Sequence, residues 1–294
     1  MSLPFKQVDV FTGRPFTGNP LAVIFDADDL TDSQMQRIAN WTNLSETTFL
    51  LRPQNTAADY RLRIFTPRSE LVFAGHPTVG SAHAALEAGI ITPRNGKLVQ
   101  ECKVGLVALT VQGDGPQRSI AFELPQARTQ LLDDAEVTEL EAVLGAKVER
   151  EQTPRVVDVG PKWTIARLRD AAQVRELNPD LARLEQFDKR RGTTGVTIFG
   201  AHAASKSEGP HIEVRSFAPA FGAPEDPVCG SGNGSVAVFL RDTGLVESIG
   251  RRYVASQGAR LGRDGRVRVS IDEDGTIRLG GQSVTCVEGT IRED

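Results

Sequence analysis

FAGHPTVGSAHAALEAG, residues 73–89, and VCGSGNGSVAVFLRDTG, residues 228–244, decide how this chain is read. Each opens on glycines and polar residues suited to a tight turn, continues as a helix of small apolar residues, and stops at a glycine. Laid over one another without gaps, they pair Gly75 with Gly230, Ala82 with Ala237, Gly89 with Gly244, and acidic Glu87 with Asp242. Upstream, RIFTP (63–67) matches RSFAP (215–219), with three extra residues in the second connection. Few identities carry the match, but the order of the surrounding elements repeats with it. A duplicated domain is therefore expected. In this register Ala74 stands opposite Cys229, and His76 opposite Ser231.

Around the first helix, FKQVDVFT, TGNPLAVIF, NLSETTFLL and YRLRIFTP have the pattern of strands, and KLVQECKVGLVALTVQG and SIAFELP follow as more. Thr31 and Gln34 form a capping box that starts a helix ending near Trp41. The second half repeats this order: a helix over DDAEVTELEAVLG, strands KWTIARL, GVTIFG and HIEVRSFAP, then the second glycine-rich helix start. Asp264-Gly265 and Asp274-Gly275 read as hairpin turns among YVASQG, RVRVSI and TIRLG, and SVTCVEGTI reads as one more strand. Mixed strands with one apolar helix per half predict an α+β fold, not a regular βαβ alternation. Two domains are expected: residues 1–117 with the last strand at about 284–294, and residues 118–283.

Composition excludes several classes. Charged residues make up 24% and apolar ones 39%, ordinary for a globular protein. A net charge of −4 with no basic tail argues against nucleic acid as a partner. No apolar run approaches the roughly 20 residues that span a bilayer. MSLPFKQVDVF enters a strand pattern instead of a secretory signal, so a cytoplasmic protein without a membrane partner is expected. Cys102, Cys229 and Cys286 form neither a disulfide framework nor a Cys-x-x-Cys pair, and the four histidines lack zinc spacing, so no metal is expected. GHPTVG lacks the Lys-Ser/Thr ending of a phosphate loop, and GSGNGS has the wrong spacing for a dinucleotide fold. No nucleotide cofactor is expected.

What remains is the chemistry of the two helix starts. A glycine-rich turn there offers unpaired N–H groups and the positive end of the helix dipole, which together bind a carboxylate or phosphate. The bland alternative is that the glycines only permit the turns. Glu46 alternates with Leu44, Thr48 and Leu50, and if that face is buried its carboxyl is desolvated toward neutral pKa. If the face is open, Glu46 is merely solvated. His76 and Asp226 carry the same two readings, as site residues or as turn and cap residues.

VDVFTGRPFTGNPLAVIF, NLSETTFLL, FTPRSELVFAGHPTVGSAHAAL, PEDPVCGSGNGSVA and SQGARLGRDGRVRV together resemble the PhzF family, along nearly the whole chain. The resemblance implies a diaminopimelate epimerase-like fold: two pseudo-symmetric domains, each a mixed sheet or barrel around a central helix, with the active site between them. It implies a homodimer and a cofactor-independent isomerase that moves a proton on a small amino- or hydroxy-carboxylate. By the same resemblance Glu46 is the proton carrier, His76 and Asp226 assist, and Gly75, Gly230, Ser231 and Asn19 hold substrate. The epimerase and racemase relatives use two cysteines, one at each helix start. Here one of those places is Ala74 and the other Cys229, where PhzF-like proteins usually carry threonine. A thiol at a helix N-terminus would have a lowered pKa, which leaves Cys229 as a possible second base, but the favoured reading is a small buried residue interchangeable with threonine. Two alternatives stay open: an amino-acid epimerase or racemase using Cys229, and a small-molecule-binding protein without turnover.

Overall fold

The computed structural model describes residues 2–203 and 209–292. The chain divides into two units, Met1–Glu123 with Gly280–Asp294, and Leu124–Leu279. The first holds β1 (Ser2–Val10), β2 (Asn19–Ile24), α1 (Asp32–Thr42), β3 (Thr47–Leu51), β4 (Tyr60–Phe65), β5 (Glu70–Leu71), α2 (Gly75–Glu87), β6 (Lys97–Cys102), β7 (Gly105–Gln112) and β8 (Ser119–Glu123). The second holds β9 (Arg128–Leu131), α3 (Asp134–Leu144), β10 (Arg155–Asp158), β11 (Lys162–Arg167), α4 (Ala171–Glu176), α5 (Leu181–Arg191), β12 (Gly195–Ala201) and β13 (Ile212–Ala218). It continues through β14 (Ala223–Asp226), α6 (Gly230–Asp242), α7 (Val246–Ile249), β15 (Arg252–Gln257) and β16 (Gly265–Ile271). β17 (Ile277–Arg292) begins in the second unit and runs on into the first.

In the first unit β1 pairs antiparallel with β2, β2 parallel with β3, β3 antiparallel with β4, and β4 parallel with β6. β7 and β8 follow antiparallel, and β17 joins β8 to β1. These eight strands close a barrel, which removes the open edges a flat sheet would present. Helix α2 fills it: every residue from Gly75 to Leu86 is buried, against β1, β2, β3, β4 and β8. The small residues of its sequence are what let it fit. A Cβ at Gly80 would stand 2.6 Å from Val10 Cγ2 and 2.7 Å from Leu21 Cδ2. Helix α1, started by the Thr31–Gln34 capping box, lies outside the strands and buries Met35 and Ala39 with Leu3, Ile24, Phe49 and Phe65.

The second unit repeats the pairing order. β10–β11 antiparallel, β11–β12 parallel, β12–β13 antiparallel, β13–β15 parallel and β15–β16 antiparallel match β1–β2, β2–β3, β3–β4, β4–β6 and β6–β7. Helix α6 takes the part of α2, buried from Gly232 to Leu240 against β10, β11, β12 and β16. On the other face α3, α4 and α5 supply an outer layer, with Leu140, Val174, Leu184 and Phe187 packed on Val196, Ile198 and Phe217.

The repeat extends to a side-chain device that the helix alignment does not show. Arg63 on β4 makes a two-pronged pair with Glu70 on β5 (2.8 and 2.7 Å) and lies 5.1 Å over the Phe65 ring. Arg215 on β13 does the same with Glu225 on β14 (2.9 and 2.8 Å), 4.9 Å over Phe217. Two planar guanidinium forks in equivalent places, each on a phenyl face, support duplication more strongly than matched glycines do.

Several expectations are corrected. Helices α4 and α5 fill a stretch in which no helix was expected. Asp264-Gly265 is not a two-residue hairpin: a 3-10 turn at Ala259–Leu261 intervenes, and Gly265 already belongs to β16. Asp274-Gly275 does turn, with Gly275 at φ 86° and its N–H donating to the Asp272 carbonyl. TIRLG and SVTCVEGTI form the single strand β17. β8 falls in the first unit because it pairs with β7 and β17, so the chain crosses between units at 123/124 and 279/280. No helix among the described residues is long and apolar enough to cross a membrane.

Candidate active site

Each unit brings part of the sequence-predicted set together. In the first, Glu46 lies just before β3, not within a strand; the turn from α1 passes through Asn43 in the left-handed region (φ 53°). Only 16% of its side chain is exposed, and Oε2 lies 3.3 Å from Nε2 of His76, itself 5% exposed. Burial pushes the Glu46 carboxyl up from 4.5 to about 7, against the lowering pull of a hydrogen bond from Ser45. The buried alternative for Glu46 is therefore the one realised.

His76 is the second residue of α2, whose N-cap is Ala74. Alanine has no side-chain acceptor, so nothing on it caps the first-turn amides, and Pro77 has no N–H. The helix is pinned to its barrel by Ser81 to Thr48 (2.8 Å) and Thr78 to Gln100 (3.1 Å). Asn19 is buried at the first position of β2, after a turn in which Asp9 accepts the Gly18 N–H at 3.0 Å.

In the second unit Asp226 ends β14, and its carboxylate accepts the Val228 N–H at 3.0 Å. Cys229 is the N-cap of α6, and its sulfur accepts the Gly232 N–H at 3.2 Å. Gly232 is wedged so closely that a Cβ there would stand 2.5 Å from Ser216 Oγ. Ser231 is oriented by Trp163, whose indole N–H donates to its Oγ at 2.9 Å. Gln257 binds the segment together. Its Oε1 accepts from the Cys229 N–H (3.1 Å) and from Asn233 (2.8 Å), and its Nε2 donates to the Asp226 carbonyl (3.0 Å).

Trp163, Asn233 and Gln257 hold the candidate segment together, and sequence reasoning passed over them. Asn233 lies within GSGNGS and Gln257 within SQGARLG, both inside blocks carrying the family resemblance. Trp163 had no such signal.

Of the two readings of Cys229, the geometry favours the small buried residue over the lowered-pKa base. Burial pushes this thiol well above its ordinary value, and the nearby Asp226 charge pushes the same way. At 4% exposure desolvation outweighs the helix N-terminus. The sulfur is a cap. Cys229→Thr keeps an acceptor for the Gly232 N–H, so kcat/KM is expected to change by less than about fivefold. Steady-state rates of the two forms check this.

Among the described residues no three His, Cys, Asp or Glu side chains are grouped to hold a metal ion. What the two segments offer is a carboxyl that titrates near neutrality beside an imidazole, and two helix starts suited to an anion.

A family model of phenazine biosynthesis-like proteins, PhzC-PhzF, matches residues 8–289. The chain is 42% identical to antisense-enhancing sequence 1 of Schizosaccharomyces pombe, over 97% of each chain. It is 33% identical to trans-2,3-dihydro-3-hydroxyanthranilate isomerase of Pseudomonas chlororaphis, again over 97% of each. A PhzF family phenazine biosynthesis protein of Bacillus anthracis shares the fold at a TM-score of 0.86 and 24% identity, covering 99% of both chains.

Proposed function

Because this chain belongs to the PhzC-PhzF family of phenazine biosynthesis-like proteins and is an isomerase, we propose that it moves a proton on a small amino- or hydroxy-carboxylate, with Glu46 as acid and base. One observation carries the reading: a buried carboxyl with its pKa at about 7, 3.3 Å from His76. As carboxylate, Glu46 takes a proton from a substrate carbon, the double bond shifts, and the same carboxyl returns the proton to another carbon. A group that must both take and give a proton works best with its pKa near the working pH. The Gly75, Gly230 and Ser231 segments bind the carboxylate and the developing negative charge, and Asp226 and His76 hold the amino or hydroxyl group. Asn19 belongs to the same substrate-binding set. The reading takes the enzyme as a cytoplasmic homodimer that needs no cofactor, and the Pseudomonas relative's name points to a dihydro-hydroxyanthranilate as the first substrate to try.

The test is incubation in D₂O with that compound and a panel of small carboxylates, without added cofactor. Deuterium is expected at the carbon that gains the proton, together with a shifted double bond. Exchange that survives Glu46→Gln and vanishes in Cys229→Ser would assign an epimerase instead. Tight retention of a carboxylate with no exchange in any variant would leave a binding protein.

A further inference from the structure

A second cluster of polar groups lies on the opposite face of the β13–β15 pair from α6. Along β13, Ser216 faces the α6 start, so Arg215 and Glu213 fall on the other side. Along β15, Gln257 reaches α6 and its neighbour Ser256 faces outward. A pocket of about 110 Å³ opens there. Its lining includes Arg175, His202, Glu213, Ser256, Arg263 and Arg266. Ser256 Oγ lies 2.7 Å from Glu213 Oε2 and 2.9 Å from His202 Nε2. Glu213 is 2% exposed, and its other oxygen, Oε1, is buried with no hydrogen-bond partner.

This is not a nucleophile triad. His202 meets both Ser256 and Glu213 through the same nitrogen, Nε2, so the imidazole does not bridge serine to carboxylate. Charge is the stronger signal. Three arginines converge on the pocket, and Asp264 on its rim pairs with Arg266 at 2.5 Å. Burial and the charges of Arg175 and Arg266 push His202 down, so it is neutral at pH 7. Burial also pushes the Glu213 carboxyl up, against the pull of Arg175, Arg266 and Arg215. The Ser256 hydroxyl donates to Glu213 Oε2, so one oxygen of that carboxyl is already engaged within the floor.

We propose that this pocket binds a small oxyanion, the phosphate or carboxylate group of a metabolite, held by Arg175, Arg263 and Arg266 over a floor of Glu213 and Ser256. The site is separate from the proton-transfer residues and does not depend on their assignment. Gln257, which ties together the α6 start, is itself part of the pocket wall, so an occupant here is placed to bias the α6 segment.

Calorimetric titration of the whole protein with sulfate is the test. Sulfate keeps its charge between pH 5 and 8, so any pH dependence belongs to the protein. Saturable binding at one site is expected, weakened about tenfold or more in Arg175→Ala, because a charge-assisted contact is lost. Arg175 is exposed, so that variant keeps the fold, and a thermal melt verifies it. The groups facing Glu213 are Arg175 of α4, Arg215 of β13, Arg266 of β16 and His202 beyond β12, while Glu225 of β14 is taken up by Arg215. With these in place, sulfate affinity is expected to fall as rising pH ionises Glu213, and to lose that component in Glu213→Gln. Titration with inorganic phosphate and with malonate then distinguishes a phosphate from a carboxylate ligand. Absence of saturable binding, or binding unchanged in both Arg175→Ala and Arg266→Ala, overturns the proposal.

Discussion

Glu46→Gln is expected to lower kcat by about 10²–10⁴-fold while the protein stays folded, since the amide fills the same space but cannot carry a proton. The wild-type rate is expected to change with an apparent pKa near 7, and the residual rate of the variant to lose that inflection. Stability should report the same group with a definite sign. An unfolded Glu46 ionises near 4.5 and the folded one at about 7, so between these values the native state holds a proton that the unfolded chain has released. Raising pH through that window therefore favours unfolding. The stabilisation is intact below about 4.5 and gone above about 7, a loss on the order of 3 kcal/mol. Glu46→Gln escapes this loss, so urea denaturation at pH 5 and pH 8 should show the variant gaining on wild type at the higher pH. A gap that does not change with pH would mean that Glu46 is already ionised in the fold, and the acid/base assignment would fail with it.

Arg215→Met is expected to cost about 3–5 kcal/mol. Side chains of Arg215 and Glu225 are 6% and 11% exposed, so removing the guanidinium leaves a buried carboxylate without its partner. Arg215 also donates to the carbonyls of Val174 (3.1 Å) and Leu177 (2.6 Å), closing the end of α4. Adding Glu225→Leu should recover much of the loss, because the unpaired charge goes with it. The matching change in the first unit, Arg63→Met, is expected to cost less. Glu70 keeps Lys103 at 2.6 Å, and the other partner of Arg63, Asp32, is 85% exposed. Urea midpoints of the four proteins order these effects, and equal losses in Arg63→Met and Arg215→Met would refute the argument.

Much of the architecture was legible because it rests on local rules. The Thr31–Gln34 capping box and the glycine stops at Gly89 and Gly244, both with φ near 70°, are decided within a few residues. The buried helices α2 and α6 were legible because apolar, small-residue helices belong inside. Helix α5 was not: Leu184 and Phe187 are its only buried apolar residues, and the charges around them hide the period. The site divides in the same way. Glu46, His76, Asp226 and Ser231 sit in short motifs that bear the family pattern. Trp163 and Gln257 reach Ser231 and Cys229 across 68 and 28 residues, a proximity created by strand pairing. For the thiol, sequence shows a helix start but not how little water reaches it, so it left a base and a buried cap side by side.

The course of β17 sets an order on synthesis. The second unit is contiguous from Leu124 to Leu279, so all of it has left the ribosome before the first unit is complete. The first unit emerges earlier but lacks the strand that joins β8 to β1, and until residues 280–292 appear its barrel is a sheet with two unpaired borders. The half made first is thus the half that closes last. A nascent chain stalled short of β17 carries exposed strand edges, the kind that pair with other chains.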